Sequence, residues 1–212
     1  MSRQTIDQWP HLFAPGSGPV LLMLHGTGGS ERQIAPLASL LDPSAAVLAP
    51  RGRVLESGMR RWFRRYAEGV FNTGSVIEEA AALAGFIEEA KIAYDLVDRQ
   101  MIAVGVSNGA NIALATALLH PATLHHVVSF SGMHPLAGRP IEGDAARLEV
   151  LLLNGDDDPM APTTSVDRLE RDLRASGASV ERIPREGGHG IYPGEIDDAR
   201  RWLASRVRDM QT

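Results

Sequence analysis

A serine lies between two glycines in the stretch Gly105-Val106-Ser107-Asn108-Gly109, where its hydroxyl could act as a nucleophile. The apolar run MIAVGV precedes this serine, and the alanine-rich run ANIALATALL follows it. A sharp turn from a strand into a helix exposes such a serine, and the flanking glycines allow the strained backbone and close helix packing. The free N–H groups at the start of the helix would stabilise a developing oxyanion. The alternative is a Gly-Ser turn with a purely structural role.

A nucleophilic serine also needs a base to remove its proton and an acid to orient that base. After a serine in this context, the acid and the histidine are expected on later strand-end loops. His189 follows the last predicted strand, among the glycines of REGGHGIYP, and is our candidate base. We interpret His120 as a helix-end residue and His134 as a pocket wall or surface residue. His125 and His126 precede a strand, at the end opposite the serine.

The orienting acid is expected in the loop after the apolar run LEVLLLNG, which offers Asp156, Asp157 and Asp158. Three adjacent carboxylates could also form a solvated turn or a metal site. A second cluster of metal ligands is not evident in the sequence, and serine hydrolysis needs no metal. Residue chemistry alone leaves the choice among the three aspartates open.

A second glycine-rich turn, HGTGG at 25–29, follows the first long apolar run. Such a turn can bring backbone N–H groups beside the nucleophile and so complete an oxyanion hole. The alternative interpretation is an ordinary turn from a strand into a helix.

The elements that must position these residues follow an alternating pattern. Short, nearly continuous apolar runs predict strands that are buried on both faces of a parallel sheet. They lie at 19–25, 45–50, 101–106, 126–131 and 148–155, with a weaker one at 180–184. Helical patterns separate them, and one begins at Ser75-x-x-Glu78, which resembles a capping box. The alternation predicts an α/β fold with a mostly parallel central sheet and helices on both faces.

One long segment, 50–74, interrupts the alternation with a basic and aromatic sequence. A long loop inside a compact domain is usually functional or disordered, and the adjacent aromatics Trp62 and Phe63 argue against disorder. The two rings could line a pocket or anchor the loop. The arginines of this segment favour a solvated face over a substrate clamp; they are Arg60, Arg61, Arg64 and Arg65.

Length and composition limit the function classes. A chain of 212 residues is expected to form one domain, 1–212, with a full hydrophobic core. Its net charge of −5 argues against nucleic acid as a partner, and it has no cysteine for disulfides, thiolate nucleophiles or zinc ligation. We expect no signal peptide, no membrane anchor and a cytoplasmic location. A homodimer is left open.

The sequence resembles the phospholipase/carboxylesterase family of α/β-hydrolases, which includes acyl-protein thioesterases. The resemblance extends from His25 to the last predicted helix. The matching pieces are LHGTGG, APRG, GMRRWF, GVSNGAN, NGDDDPMAP and GGHGI. The stretch RWFRRYAEGVF resembles a bacterial esterase branch of this family. The resemblance implies an α/β-hydrolase fold, and the short 133–147 segment leaves no room for a cap domain.

The resemblance also implies residue roles. The nucleophile falls on Ser107, the base on His189 and the acid on Asp158, because the family pattern G-x-x-D-P matches residues 155–159. The oxyanion donors fall on the backbone N–H groups of Thr27 and Asn108. The predicted acyl pocket consists of Trp62, Phe63, Met133, Met160 and Ile191.

Residues and resemblance together predict a serine carboxylesterase that acts on a small-molecule ester through an acyl-enzyme, without a cofactor or a metal. An acyl thioesterase or lysophospholipase would use the same three residues. A peptidase would use them too, although no other feature of the sequence indicates one. A binding module without catalysis on the same fold is the alternative from another class.

Overall fold

The computed structural model describes residues 6, 9–136, 139 and 145–208. The strands of this part are β1 (His11–Ala14), β2 (Val20–Leu24), β3 (Ala46–Pro50), β4 (Val54–Glu56), β5 (Met59–Arg61), β6 (Arg65–Ala67), β7 (Val70–Phe71), β8 (Met101–Val106), β9 (His126–Phe130), β10 (Glu149–Gly155) and β11 (Ser179–Arg185). Its helices are α1 (Glu31–Ile34), α2 (Pro36–Leu41), α3 (Thr73–Ala93), α4 (Asn108–Leu119), α5 (Thr163–Ala175) and α6 (Pro193–Arg208).

The central sheet has the order β1-β3-β2-β8-β9-β10-β11. All neighbouring strands run parallel except β1, which pairs antiparallel with β3. The six predicted strands are confirmed, because continuous apolar runs are typical of strands covered on both faces. Strand β1 was not predicted; it is a four-residue edge strand whose residues are all half-buried.

Helices cover both faces of the sheet, as the alternating pattern predicts. Apolar side chains of α3, α4 and α5 pack on one face, for example Leu83, Ile112 and Leu169. Side chains of α2 and α6, including Ala38 and Leu203, pack on the other face. Among the described residues, no helix combines the length and apolar character needed to cross a bilayer.

The predicted start of α3 requires a correction. The helix begins at Thr73 and its N-cap is Asn72, whose side-chain oxygen accepts a hydrogen bond from the Ser75 N–H at 3.0 Å. The Ser75 hydroxyl instead accepts from the Arg64 N–H at 3.0 Å. Asparagine is as good an N-cap as serine, so the capping-box pattern alone could not distinguish the two starts.

The long segment 50–74 forms two hairpins, β4–β5 and β6–β7, rather than an irregular loop. The tight turn of the first hairpin has positive φ at both Ser57 and Gly58, as the favoured two-residue hairpin turn requires. Between β9 and β10, the described residues form no helix, while 137–138 and 140–144 lie outside the described part of the chain.

The parallel topology fixes where the candidate functional residues meet. Thr27 follows β2, Ser107 follows β8, Asp158 follows β10 and His189 follows β11. The carboxyl ends of parallel strands share one edge of a sheet, where ligands bind in open α/β folds. Four loops separated in sequence therefore converge on that edge.

Candidate active site

Ser107 lies at a strained turn between β8 and α4. Its backbone has φ 53° and ψ −115°, a conformation that non-glycine residues adopt rarely. The turn is held by a hydrogen bond from the Ser107 N–H to the Phe130 carbonyl at 2.8 Å. Backbone strain of this kind persists only where the surroundings impose it, and it occurs preferentially at functional sites.

The two glycines that flank this turn are required by close packing. A Cβ atom on Gly109 would lie 2.0 Å from the Leu24 carbonyl oxygen, and one on Gly105 would lie 2.4 Å from the Gly109 carbonyl oxygen. Helix α4 can therefore approach β2 and β8 only without side chains at these positions. This contact explains why the serine is embedded in G-x-S-x-G.

The turn after β2 lies beside Ser107. Thr27 and Asn108 line the same small pocket as Ser107. Within the described part of the chain, neither the Thr27 N–H nor the Asn108 N–H donates to an acceptor. Two backbone donors beside the serine are thus free for an oxygen atom of a ligand.

His189 and Asp158 form a direct pair. The Nδ1 atom of His189 lies 2.7 Å from Oδ2 of Asp158, whose side chain is fully buried. The other carboxylate oxygen, Oδ1, accepts hydrogen bonds from the N–H groups of Met160 at 2.8 Å and Ala161 at 3.1 Å. The carboxylate is therefore held from both sides and keeps Nε2 of His189 available for other contacts.

The two neighbouring aspartates have different surroundings. Asp156 and Asp157 are exposed, whereas Asp158 is buried. The backbone of Asp157 donates to the Gly187 carbonyl at 3.1 Å, which ties this loop to the histidine loop. Among the three carboxylates that residue chemistry left open, Asp158 is the one paired with His189.

Two residues that the sequence analysis missed hold the histidine loop. Ser131 is buried with φ 51°, and its hydroxyl donates to the Gly190 carbonyl at 3.0 Å and accepts from the Gly190 N–H at 3.1 Å. Arg185 donates to the Gly188 and Gly190 carbonyls at 2.9 and 3.1 Å. The sequence signal for Ser131 was its position directly after β9, at the same strand edge as Ser107.

His25 is a further buried residue near the serine turn that the sequence does not predict. Its Nδ1 lies 2.7 Å from the Gly26 carbonyl, and its Nε2 accepts from the Gly52 N–H at 2.9 Å, so the buried ring is neutral with the proton on Nδ1. Burial lowers the pKa of His25, although the bond to Gly26 opposes this effect. The ring connects the 25–29 turn to the start of the 50–74 segment.

The other histidines are engaged elsewhere. His134 is buried, its Nε2 lies 3.2 Å from Oδ2 of Asp172, and burial lowers the pKa of His134. His120 is the C-cap of α4, at the helix end opposite Ser107. His125 and His126 line a separate pocket together with Gln100, at the amino ends of the strands.

The pocket beside Ser107 is small and mixed in character. Its lining residues are Thr27, Arg61, Glu68, Phe71, Ser107, Asn108, Asn111, Ser131, Met133 and Met160. Of the five residues of the predicted acyl pocket, Met133 and Met160 are part of this lining. Trp62, Phe63 and Ile191 are not part of this lining. Ile191 packs instead against the apolar cluster on the α2 and α6 face of the sheet.

Trp62 and Phe63 anchor the 50–74 segment in the core. Trp62 is 1% exposed, and its indole N–H donates to the His25 carbonyl at 2.8 Å. Its backbone N–H donates to the Asn108 side-chain oxygen at 2.7 Å. Phe63 is fully buried and contacts Phe71, which itself lines the pocket. The aromatic pair thus lies beneath the pocket wall and the 25–29 turn.

Replacement of Trp62 by alanine tests this placement. We expect Trp62→Ala to destabilise the fold by about 3–5 kcal/mol, because a fully buried large ring and its hydrogen bond are lost. For a chain of this size, the loss lowers Tm by about 10 °C. For the acyl esters that the resemblance implies as substrates, the kcat/KM ratio between short and long acyl chains should stay within about twofold, because anchoring residues make no differential contact with the substrate. Tyr66→Ala, on an exposed ring of the same segment, is the control for Tm. A changed kcat/KM ratio at unchanged Tm would contradict the anchoring role and indicate that Trp62 contacts the substrate.

The interpretation of the arginine segment as a solvated face is wrong for Arg61. Arg61 is 3% exposed and lines the pocket, whereas Arg64 is exposed and Arg60 is half-buried. Strand β5 alternates sides, and its last residue points inward. The sequence gives no signal for this burial, because arginine is normally exposed unless a specific partner holds it.

A strained serine turn, free backbone donors beside it and a buried Asp–His pair at one sheet edge are features of the α/β-hydrolases. Comparison with known proteins agrees with this class. Residues 16–206 match the phospholipase/carboxylesterase family. The chain belongs to this family and has the α/β-hydrolase fold, so the expected family and fold are confirmed.

Three similar proteins illustrate the relationship. The putative hydrolase MhqD of Bacillus subtilis is 38% identical over 198 residues, which cover 93% of this chain and 98% of that protein. The structure of a Bacillus cereus carboxylesterase has a TM-score of 0.88 at 36% identity, and covers 93% of this chain and 94% of its own. A Mesorhizobium loti carboxylesterase structure has a TM-score of 0.86 at 30% identity, and covers 96% of this chain and 97% of its own.

Proposed function

We propose that the protein is a serine carboxylesterase that hydrolyses small-molecule carboxylic esters through an acyl-enzyme. The observation that carries this proposal is the His189–Asp158 pair, 2.7 Å apart, at the sheet edge where the strained Ser107 turn lies. A carboxylate bound to Nδ1 holds the proton there and leaves Nε2 as the acceptor that a general base requires.

Acylation begins when His189 removes the proton of the Ser107 hydroxyl. Ser107 Oγ then attacks the ester carbonyl carbon, and the carbonyl π electrons move to its oxygen. Within the described residues Ser107 Oγ makes no hydrogen bond, and catalytic hydrogen bonds often tighten only when substrate binds. His189 next protonates the leaving alcohol as the tetrahedral intermediate collapses. Water, activated by the same histidine, releases the carboxylic acid and restores the serine.

The free N–H groups of Thr27 and Asn108 support oxyanion stabilisation. The Asn108 N–H lies in the first turn of α4, where the helix dipole also favours negative charge. Preorganised donors of this kind are worth about 10²–10³ in rate for each donor removed. Apart from the hydrolytic water, these steps use only side chains and backbone of this chain, so we propose no cofactor.

A fluorophosphonate probe tests the proposal directly. Ser107 Oγ would attack the phosphorus, fluoride would leave, and a stable phosphonyl-serine would remain. We expect stoichiometric labelling at Ser107, no labelling of Ser107→Ala, and labelling slowed by at least about tenfold in His189→Ala, because the base is missing. Ser205→Ala, on a hydroxyl that donates to the Trp202 carbonyl in α6, is the matched control. A wild-type protein that resists the probe would support a binding module instead.

A further inference from the structure

A positive charge lines the pocket although hydrolysis of a neutral ester does not need one. Arg61 is 3% exposed, and it lies in the same pocket wall as Ser107 and Thr27. Burying a guanidinium is costly unless it is paired and hydrogen-bonded, so its partners decide what it can do. Burial, and then the nearby Arg65, lowers the pKa of Arg61, which stays charged because an arginine starts from so high a value.

The partners of Arg61 satisfy the guanidinium only in part. Nε lies 3.3 Å from the Phe63 carbonyl and 3.4 Å from Glu56 Oε2, and Nη1 donates to Thr27 Oγ1 at 3.1 Å. Glu56 is shared with Arg65, whose Nε lies 3.5 Å from the same oxygen. The described residues provide no acceptor for Nη2. Arg61 therefore keeps a donor for a ligand, and it shares the Glu56 carboxylate with Arg65.

A second donor in the same pocket wall is also without a partner. The side chain of Asn108 is oriented by its oxygen, which accepts from the Trp62 N–H at 2.7 Å. Its Nδ2 atom is buried and has no hydrogen-bond partner among the described residues. An unsatisfied buried donor carries a desolvation penalty, which a hydrogen bond to a ligand oxygen would offset. Arg61 and Asn108 therefore line one pocket, and each has a side-chain donor without a partner among the described residues.

Glu68 is the remaining charged residue of this lining. It pairs with Arg65, and about half of its side chain is exposed, so solvent screens it more than Arg61. Its charge opposes that of Arg61 at the pocket. Removing the charge of Arg61 and removing the charge of Glu68 should therefore change the binding of an anionic ligand in opposite directions, and the test below uses this difference.

We propose that Arg61, with Asn108 Nδ2, forms a carboxylate subsite, and that the preferred substrates are esters with a carboxylate near the scissile bond. The inference rests on the proposed esterase function and specifies its substrate class. A guanidinium binds a carboxylate through parallel hydrogen bonds, which are stronger than bonds between neutral groups. The subsite would orient the ester carbonyl toward Ser107, since Thr27 belongs both to this contact network and to the oxyanion turn.

The test uses matched pairs of esters with and without a carboxylate. The rate of hydrolysis is measured from the protons that the reaction releases. Monomethyl glutarate and methyl hexanoate differ on the acyl side, and acetoxyacetate and propyl acetate differ on the alcohol side. We expect Arg61→Gln to lower the anionic-to-neutral ratio of kcat/KM by about tenfold or more in one of the two pairs, as loss of a charged hydrogen bond does. That pair identifies the side that carries the carboxylate. Glu68→Gln should raise the same ratio.

The controls separate this inference from the proposed function. Arg64→Gln removes an exposed charge of the same segment and should leave the ratios within about twofold, as solvent-exposed charges contribute little. Equal ratios in wild type and in both the Arg61 and Glu68 variants would overturn the subsite and leave the esterase standing. Absence of hydrolysis of all four esters, together with failure of the fluorophosphonate probe, would overturn the proposed function itself. If Arg61→Gln does not fold, Glu68→Gln tests the subsite alone. A raised anionic-to-neutral ratio of kcat/KM supports the subsite, and an unchanged or lowered ratio overturns it.

Discussion

Alanine at Ser107 is expected to lower kcat/KM for esters by a factor on the order of 10⁴ or more, and alanine at His189 by a similar factor. The double variant should be no worse than either single variant. The physical reason is that the two residues perform one step in the proposed mechanism: without the base the hydroxyl stays protonated, and without the hydroxyl the base has no proton to move. Rates with a neutral ester, measured on folded proteins of equal Tm, give the three factors.

His120→Ala is the matched control for the histidine change. His120 is half-buried at the far end of α4, and its replacement should cost less than about twofold in activity, because it lies at the end of the helix opposite Ser107. A double variant whose loss equals the product of the two single losses would contradict the shared mechanism. The activity that remains in the Ser107 and His189 variants would have to come from the oxyanion donors and substrate binding.

Most strands of the central sheet were predictable from the sequence, because buried parallel strands have an unusual composition. Runs such as 101–106 and 148–155 are apolar without alternation, and only a sheet covered on both faces accommodates them. The strand β1 lacked that signature because an edge strand is half-buried. The hairpins of 50–74 were missed for a similar reason, since strands of two or three partly exposed residues show no resolvable periodicity.

The candidate site was predictable to the level of loops, and less so to the level of side chains. G-x-S-x-G and the glycine-rich surroundings of His189 indicate turns, and turns at strand ends share one edge in a parallel sheet. Three adjacent aspartates are equivalent by residue type. The structure distinguishes them, because the chain after Gly155 buries Asp158 and leaves Asp156 and Asp157 exposed.

The pocket wall was the least predictable part. The residues left open whether the aromatic rings line a pocket or anchor the loop, and the resemblance placed them in the pocket. The arginines were expected in solvent, whereas Trp62 is in the core and Arg61 lines the pocket. Whether Arg60 or Arg61 points inward depends on the register of β5 with β4. That register is fixed by the turn at Ser57 and Gly58 and by packing against His25, contacts that connect distant parts of the chain.

The hydrogen bonds of Asp158 predict how an asparagine side chain would be oriented at this position. Oδ1 accepts from two backbone N–H groups, those of Met160 and Ala161, so an asparagine must place its oxygen there. Its NH₂ group then faces Nδ1 of His189, where Oδ2 now lies at 2.7 Å. An NH₂ group is a donor, so Nδ1 must become the acceptor and the imidazole proton must move to Nε2.

Asp158→Asn should therefore remove activity by inverting the histidine tautomer while it preserves the fold. We expect kcat to fall by a factor on the order of 10⁴, because a protonated Nε2 cannot accept the Ser107 proton, whereas Asp156→Asn and Asp157→Asn, on exposed carboxylates, should stay within about threefold of wild type. Asp158→Ala would confound the test, since it also leaves the Met160 and Ala161 N–H groups unpaired. The measurement is kcat for the three asparagine variants at one pH, with Tm as the check on folding. An equal loss at Asp157 would contradict the assignment of the acid, and a loss at Asp158 explained entirely by a lower Tm would contradict the tautomer argument.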